Sequence, residues 1–425
     1  MKKIFKIIGI LLLLFILSGV LFFVSKNEAL PTGEKGKNAD ALALKMLDAM
    51  NADAYANTEV LEWSFRNKHH YKWFKSQNSV SVSWEKNKVI LNTRNPFKST
   101  VFIENKQVDN KELIATATAY FNNDSFWLVA PYKVFDSGTE RRIVKHQGKE
   151  ALLVTYTSGG TTPGDSYLWI LEDTGLPISL KMWTQIIPIG GIEASWSNLK
   201  ITESGILLPT EHALSLFGMN LPMGNVKSYN PKANEVANKM LKAIKHDNYK
   251  TTNHLAWSFG ERRSYEWDRE NHIVAVSWDT IRVVLHPNNL EKSSIFFNNK
   301  LSAIKNEQLV TKATNFFNND SFWLVAPHKL FENGIVRSLQ KVAGKDALLI
   351  KYTTGGTTPG DSYLWILDEN YIPKSYKMFV PSMKMEGVPA TWDDWITSES
   401  GILLPTSHSF GVGRKLNMNN VKATI

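Results

Sequence analysis

The chain states most of its content twice. Phe121–Pro131 (FNNDSFWLVAP) recurs unchanged as Phe317–Pro327, and Gly159–Leu171 (GGTTPGDSYLWIL) recurs unchanged as Gly355–Leu367, both at an offset of 196. Gly205–Thr210 returns as Gly401–Thr406. Upstream, Trp63, Trp73 and Trp84 map onto Trp257, Trp267 and Trp278 at an offset of 194, and a small insertion after Lys300 absorbs the difference. Solenoid repeats run only ~20–50 residues, so a period this long is a tandem domain duplication. The 425 residues divide into repeat 1 at 38–229 and repeat 2 at 230–425, each long enough to bury a core of its own.

Cysteine is absent, which excludes disulfides, thiolate metal sites, thiol nucleophiles and a lipid-carrying cysteine at the N-terminus. The net charge is +9, but the Lys and Arg residues are spread along the chain without a basic run. That distribution argues against a nucleic-acid partner and is compatible with anionic lipid headgroups. No metal or cofactor is expected.

Lys2, Lys3 and Lys6 precede an apolar run, Ile7–Val24, interrupted only by Gly9, Ser18 and Gly19. Its eighteen residues are just enough for a transmembrane anchor. No Ala-x-Ala cleavage site follows. The basic residues put 1–6 in the cytoplasm and the bulk of the chain beyond the inner membrane, in the periplasm. Export with cleavage after about Ala29 is the alternative. Residues 25–37 are polar, with Pro31, Gly33 and Gly36, and read as a linker.

Repeat 1 opens with helical spacing at Ala39, Ala43, Met46, Leu47 and Met50, matched in repeat 2 by Val236, Met240, Leu241 and Ile244. Val80, Val82 and Trp84 alternate with serines, and Val274, Val276 and Trp278 repeat the spacing around Ala275 and Ser277, which predicts strands with one covered face. A second helix carries Leu113, Ala117 and Phe121. Strands follow over 151–157, 166–171, 178–186, 192–201 and 209–216. Each repeat therefore reads as α+β: about ten antiparallel strands in one curved sheet, with about two helices on its concave face.

The stretch Asp165–Pro177 (DSYLWILEDTGLP) and its counterpart Asp361–Pro373 resemble the lipoprotein-carrier (LolA/LolB-like) superfamily of bacterial envelopes. The blocks NDSFWLVAP and TPGDSY resemble uncharacterised envelope proteins of that architecture. The resemblance implies two tandem half-barrels behind the N-terminal transmembrane helix, each with an apolar cavity for an acyl chain, and a non-catalytic protein. Two departures bear on lipoprotein trafficking itself: this chain reads as tethered and doubled, whereas the carrier is cleaved, single and diffusible.

A shared aromatic set suits such a cavity: Trp63, Trp73, Trp84, Trp127 and Trp169, with Trp257, Trp267, Trp278, Trp323 and Trp365. Trp196 matches Trp392, and Trp183 aligns with Phe379. The plainer reading is that these rings fill the core. The duplicated loops, marked by Gly159, Pro163 and Asp165 and by Gly355, Pro359 and Asp361, lack the Lys-Ser/Thr of a phosphate loop. They read as strand connections, with a cavity lip or partner contact as the functional alternative. His212 and His408, with Glu203 and Glu399, are the only pairs offering general-base chemistry. Asp124 and Asp320 read as turn or capping residues, and Arg141 and Arg337 as solvated or headgroup-binding. The expected function is binding of a lipid or other apolar molecule. The alternatives are a module for an envelope protein partner and, last, an enzyme.

Overall fold

Apolar periodicity switches from helix to strand twice, and the architecture follows it. The computed structural model describes residues 11–425 apart from 16, 19, 20, 22, 160, 161, 217, 305, 355–359 and 412. Two units separate at the repeat boundary, Met1–Tyr229 and Asn230–Ile425.

In unit 1, helix α1 (Lys37–Ala49) buries Ala39, Ala43 and Met46 on one face, and the short α2 (Ala52–Asn57) follows it. Helix α3 (Lys111–Val129) starts where the Asn110 side chain accepts the Leu113 amide, and it ends at the 3-10 turn Ala130–Lys133, which contains Pro131. That pattern is an N-cap and a proline stop. The inward side of α3 carries Ala117, Phe121, Asp124, Ser125 and Leu128.

Fourteen strands form two antiparallel sheets in this unit. The nine-stranded sheet runs Ser197–Ile201, Leu207–Ala213, Asn220–Tyr229, Val60–Phe65, His69–Phe74, Ser79–Trp84, Asn87–Asn92, Thr100–Ile103, Lys106–Val108 in spatial order. The five-stranded sheet runs Ile192–Ser195, Pro177–Trp183, Ser166–Leu171, Lys149–Tyr156, Thr139–His146. Inward residues of both sheets and of α3 share one core.

Unit 2 repeats the plan with α4 (Pro231–Ala243), α5 (His246–Thr251) and α6 (Glu307–Val325). Its strands count as a single fourteen-stranded sheet. The difference lies in one seam. Ala194 meets Leu214 as an isolated bridge in unit 1, whereas the equivalent pair Ala390 and Phe410 joins two strands in unit 2.

The expected α+β pair of half-barrels behind a transmembrane helix is therefore corrected. The chain is mostly β, in three open antiparallel sheets, with one long central helix per unit. The strand expected over 192–201 breaks at Trp196, whose indole turns fully into the core, so its two halves enter different sheets. Extra strands arise from mixed-polarity hairpins such as Val60–Phe65 with His69–Phe74, whose histidines and Glu62–Lys72 ion pair hide the period of two. Among the described residues no helix is long and apolar enough to cross a membrane. The expected cytoplasmic residues 1–6, and positions 7–10, 16, 19, 20 and 22 of the expected anchor, lie outside the described residues.

Candidate functional site

The tryptophans divide by depth. Trp63, Trp169, Trp196, Trp257, Trp365 and Trp392 are each at most 2% exposed, and Trp84 and Trp278 are nearly as deep. Trp73, Trp127, Trp267 and Trp323 are half-buried. Trp63 stacks on Tyr71 at 4.5 Å, and Phe121 of α3 sits edge-on to Trp73 at 5.2 Å. Trp257, Tyr265, Trp267 and Phe317 reproduce this arrangement at 4.7 and 5.2 Å. Trp169 and Trp196 meet edge-to-face at 4.9 Å. The rings thus pack on one another and on the central helix, the geometry in which aromatic pairs attract. The clefts among the described residues include one of 890 Å³ at the hairpin tips around Gly260–Ser264 and Asn419–Val421, where Trp278 joins the lining, and one of 800 Å³ beside Pro31–Lys35 and Ile143–Lys145. A smaller one of 430 Å³ is lined by Trp267 with Leu255, Ala275 and Val284 and by His254, Glu266, Arg282 and Lys422.

A buried carboxylate sits beneath each aromatic group. Asp124 is mid-helix, neither turn nor cap, which corrects the expectation; it accepts the Tyr71 hydroxyl at 2.5 Å and faces His69 Nδ1 at 2.7 Å. Asp320 accepts Tyr265 at 2.5 Å and Arg263 through Nε at 2.6 Å and Nη2 at 3.2 Å. Burial, and then the neighbouring carboxylate, push both tyrosine hydroxyls far above their ordinary range. They therefore act as fixed donors. Each node ties α3 or α6 to the hairpin beneath it; His69 and Arg263 are equivalent positions filled by different nitrogen-bearing side chains.

His212 is fully buried between Trp127 and Trp196, with Nδ1 2.8 Å from the Ser195 carbonyl and Nε2 2.7 Å from the Trp127 carbonyl. It bridges the seam between the sheets and the last turn of α3, where helix carbonyls lack intrahelical partners. His408 is equally buried, with Nδ1 2.9 Å from the Thr391 carbonyl. Burial holds both imidazoles below their ordinary pKa. Glu203 and Glu399 are exposed, and Glu399 accepts the Ala423 amide at 3.1 Å. The structure does not bring these glutamates to the histidines as a working base.

Arg141 and Arg337 are not solvated, a second correction. Arg337 is 2% exposed, donates from Nη1 to the Leu330 and Ile335 carbonyls at 2.6 and 3.1 Å, and lies over Phe331. Arg141 reaches the Val134 carbonyl at 2.9 Å and Asp40 of α1 at 2.6 Å. Both clamp the segment that leaves the long helix.

Asp165 closes its loop from within: buried, it accepts Thr162 at 2.5 Å and the Gln185 amide at 2.9 Å. Gly159 has φ +81°, a left-handed turn favouring glycine, and Pro163 accepts from Gln185. Asp361 is buried in the same way and accepts Tyr363 at 3.3 Å. Gly355 and Pro359 lie outside the described residues.

The residues read as a linker carry the feature that sequence reasoning missed. Residues 27–35 form a strap docked on unit 1. Glu34 exchanges two backbone hydrogen bonds with Ile143, at 3.0 and 2.8 Å. Glu28 pairs with Lys181 at 2.8 Å, and its carbonyl accepts the Trp183 indole at 2.8 Å. A Cβ on Gly190 would come within 2.6 Å of that same carbonyl. The available signal was that Trp183 and Gly190 become Phe379 and Glu386 in repeat 2: they are tuned to a segment only repeat 1 has. Trp183→Phe should cost about 1 kcal/mol through the orphaned Glu28 carbonyl. It should also speed amide exchange at Glu28, and unchanged exchange there would refute the strap.

No protein-family model and no curated protein matches the chain. Among solved structures it is similar to a DUF1329 family protein from Desulfovibrio piger ATCC 29098, at 10% identity and a TM-score of 0.26, over 45% of this chain and 92% of that one. The resemblance to the lipoprotein-carrier superfamily is carried in residues by Asp165–Pro177 and Asp361–Pro373.

Proposed function

We propose that this is a non-catalytic interaction module of the cell envelope, with two filled units that work through their surfaces. The observation that carries this reading is the packing of the duplicated tryptophans against α3 and α6, where an apolar ligand would have to lie. The basic-then-apolar N-terminus supports placement beyond the cytoplasmic membrane.

One observation favours the apolar-ligand reading as a second choice. The indole N–H groups of Trp63, Trp169, Trp196, Trp257, Trp365 and Trp392 are buried with no acceptor among the described residues. Such orphaned donors are costly, and a ligand oxygen entering beside a displaced central helix would relieve them. Native mass spectrometry of the chain from Ser25 onward, purified without detergent, separates the two. The interaction reading expects the bare protein mass, unchanged after incubation with phospholipid. A retained lipid, one or two per chain, would overturn it and install the second reading.

A further inference from the structure

The strap shows what one face of the fold accepts. Strand alternation puts Leu152, Val154 and Trp169 in the main core of unit 1, and Ala151, Leu153 and Leu168 on the opposite, outer face. There they form a second small apolar cluster with Val144, against which Trp183 packs. The strap runs over this face: Gly33 sits against Val144 and the Ile143 carbonyl, and Glu34 adds to the edge strand Thr139–His146.

Among the described residues, unit 2 builds the same face without a strap of its own. Ala347, Leu349, Leu364 and Phe379 stand where Ala151, Leu153, Leu168 and Trp183 stand, and Leu349 and Phe379 are partly exposed. Leu339 occupies the register of Ile143, opposite Leu348 as Ile143 is opposite Leu152. Its amide and carbonyl therefore point out of the sheet edge. The charges differ in both directions, since Arg142 becomes Ser338 and Gly190 becomes Glu386, but two lysines stand open on the face. Lys377, the counterpart of strap-bound Lys181, is exposed; Thr155 becomes Lys351, also exposed; Glu140, which holds Lys35 of the strap, becomes Val336.

We infer that this outer face of unit 2 binds an extended acidic segment of another protein, which adds as a strand along Ile335–Val342. This deepens the interaction reading and rests on it. The backbone of the segment would pair with Leu339, its apolar side chains would cover Leu349 and Phe379, and its carboxylates would meet Lys351 and Lys377. Main-chain pairing supplies affinity and alternate side chains supply selectivity, as in strand addition generally. The strap of a second copy is a poor occupant. Glu386 stands where unit 1 needs Gly190, and a Cβ there would meet the Glu28 carbonyl at 2.6 Å.

The test uses the full chain and a labelled ten-residue peptide of alternating Glu and Val. Binding should slow amide exchange at Leu339, and Lys351→Glu with Lys377→Glu should weaken it at least about tenfold. These are exposed positions, so the fold survives the change. Lys149→Glu in unit 1 should leave binding unaltered. The inference is overturned if the peptide does not bind, or if binding ignores the double variant and Leu339 keeps its exchange rate. It is equally overturned if Leu339 is already protected in the free chain by a concentration-dependent dimer. A lipid found by mass spectrometry would remove the interaction reading, yet this experiment would still read out in lipid-stripped protein.

Discussion

Asp320→Ala should lower the stability of the second unit by about 3–5 kcal/mol, the range for breaking a buried ion pair from one side. Asp320 is 0% exposed and its partner Arg263 is 18% exposed, so the guanidinium left behind has little water to turn to. The Tyr265 hydroxyl, fixed as a donor by burial, also loses its acceptor. By contrast, the exposed Lys239–Glu235 pair on α4 is screened by water and should matter little. Urea unfolding of the full chain, followed by tryptophan fluorescence, reads the change as a lower midpoint. Arg263→His installs the side chain that unit 1 uses at His69 and should cost far less than the alanine variant. If Asp320→Ala unfolds within about 1 kcal/mol of the parent, the node is not what holds α6 to its hairpin.

The second large effect is acid sensitivity at His328, in unit 2. His328 stacks on Tyr249 at 4.6 Å, and its Nε2 lies 2.9 Å from the Leu403 carbonyl. Burial, chiefly, holds its pKa down to about 3. A histidine in the unfolded chain titrates near ~6.5, so between these values the unfolded state binds more protons. The stability that His328 supports is therefore complete above pH ~6.5 and drains as pH falls toward 3, at about 1.4 kcal/mol per unit. By pH 5 the loss is about 2 kcal/mol.

The groups facing His328 sharpen this. His246, itself lowered mainly by burial, stacks at 5.6 Å, and Arg269 lies over Tyr249; both oppose a new positive charge. Unit 1 has Tyr132 at the equivalent position, donating to the Leu207 carbonyl at 2.7 Å and stacking on Tyr55 at 4.4 Å. His328→Tyr should therefore abolish most of the difference between melting temperatures at pH 7 and pH 5. An unaltered difference would place the acid lability elsewhere, with His408 the next group to examine.

These comparisons between repeats show where reading the chain succeeds. The duplication boundary, the helices at Lys37–Ala49 and Lys111–Val129, and the alternating strand at Ser79–Trp84 were legible because each depends on local spacing of apolar residues. The depth of the tryptophans was half legible: composition identified aromatics fit for a core or a cavity, but their burial against α3 depends on where a helix 19 residues long comes to rest. Asp124 and Asp320 misled because a short acidic side chain usually marks a turn, and nothing local reveals a tyrosine some fifty residues earlier. Arg337 misled for the same reason, since its carbonyl partners are exposed by the end of another element.

The repeat, its two-unit division and its alternation of strand and helix come from the order of residues, because hydrophobic period and turn chemistry act within a few positions. The sheet seam at Trp196, the side chains paired to buried carboxylates, and a strap laid across an outer face come from pairings between residues about 20 to 155 positions apart. Such pairings form only once burial has excluded water and made each unpaired polar group costly.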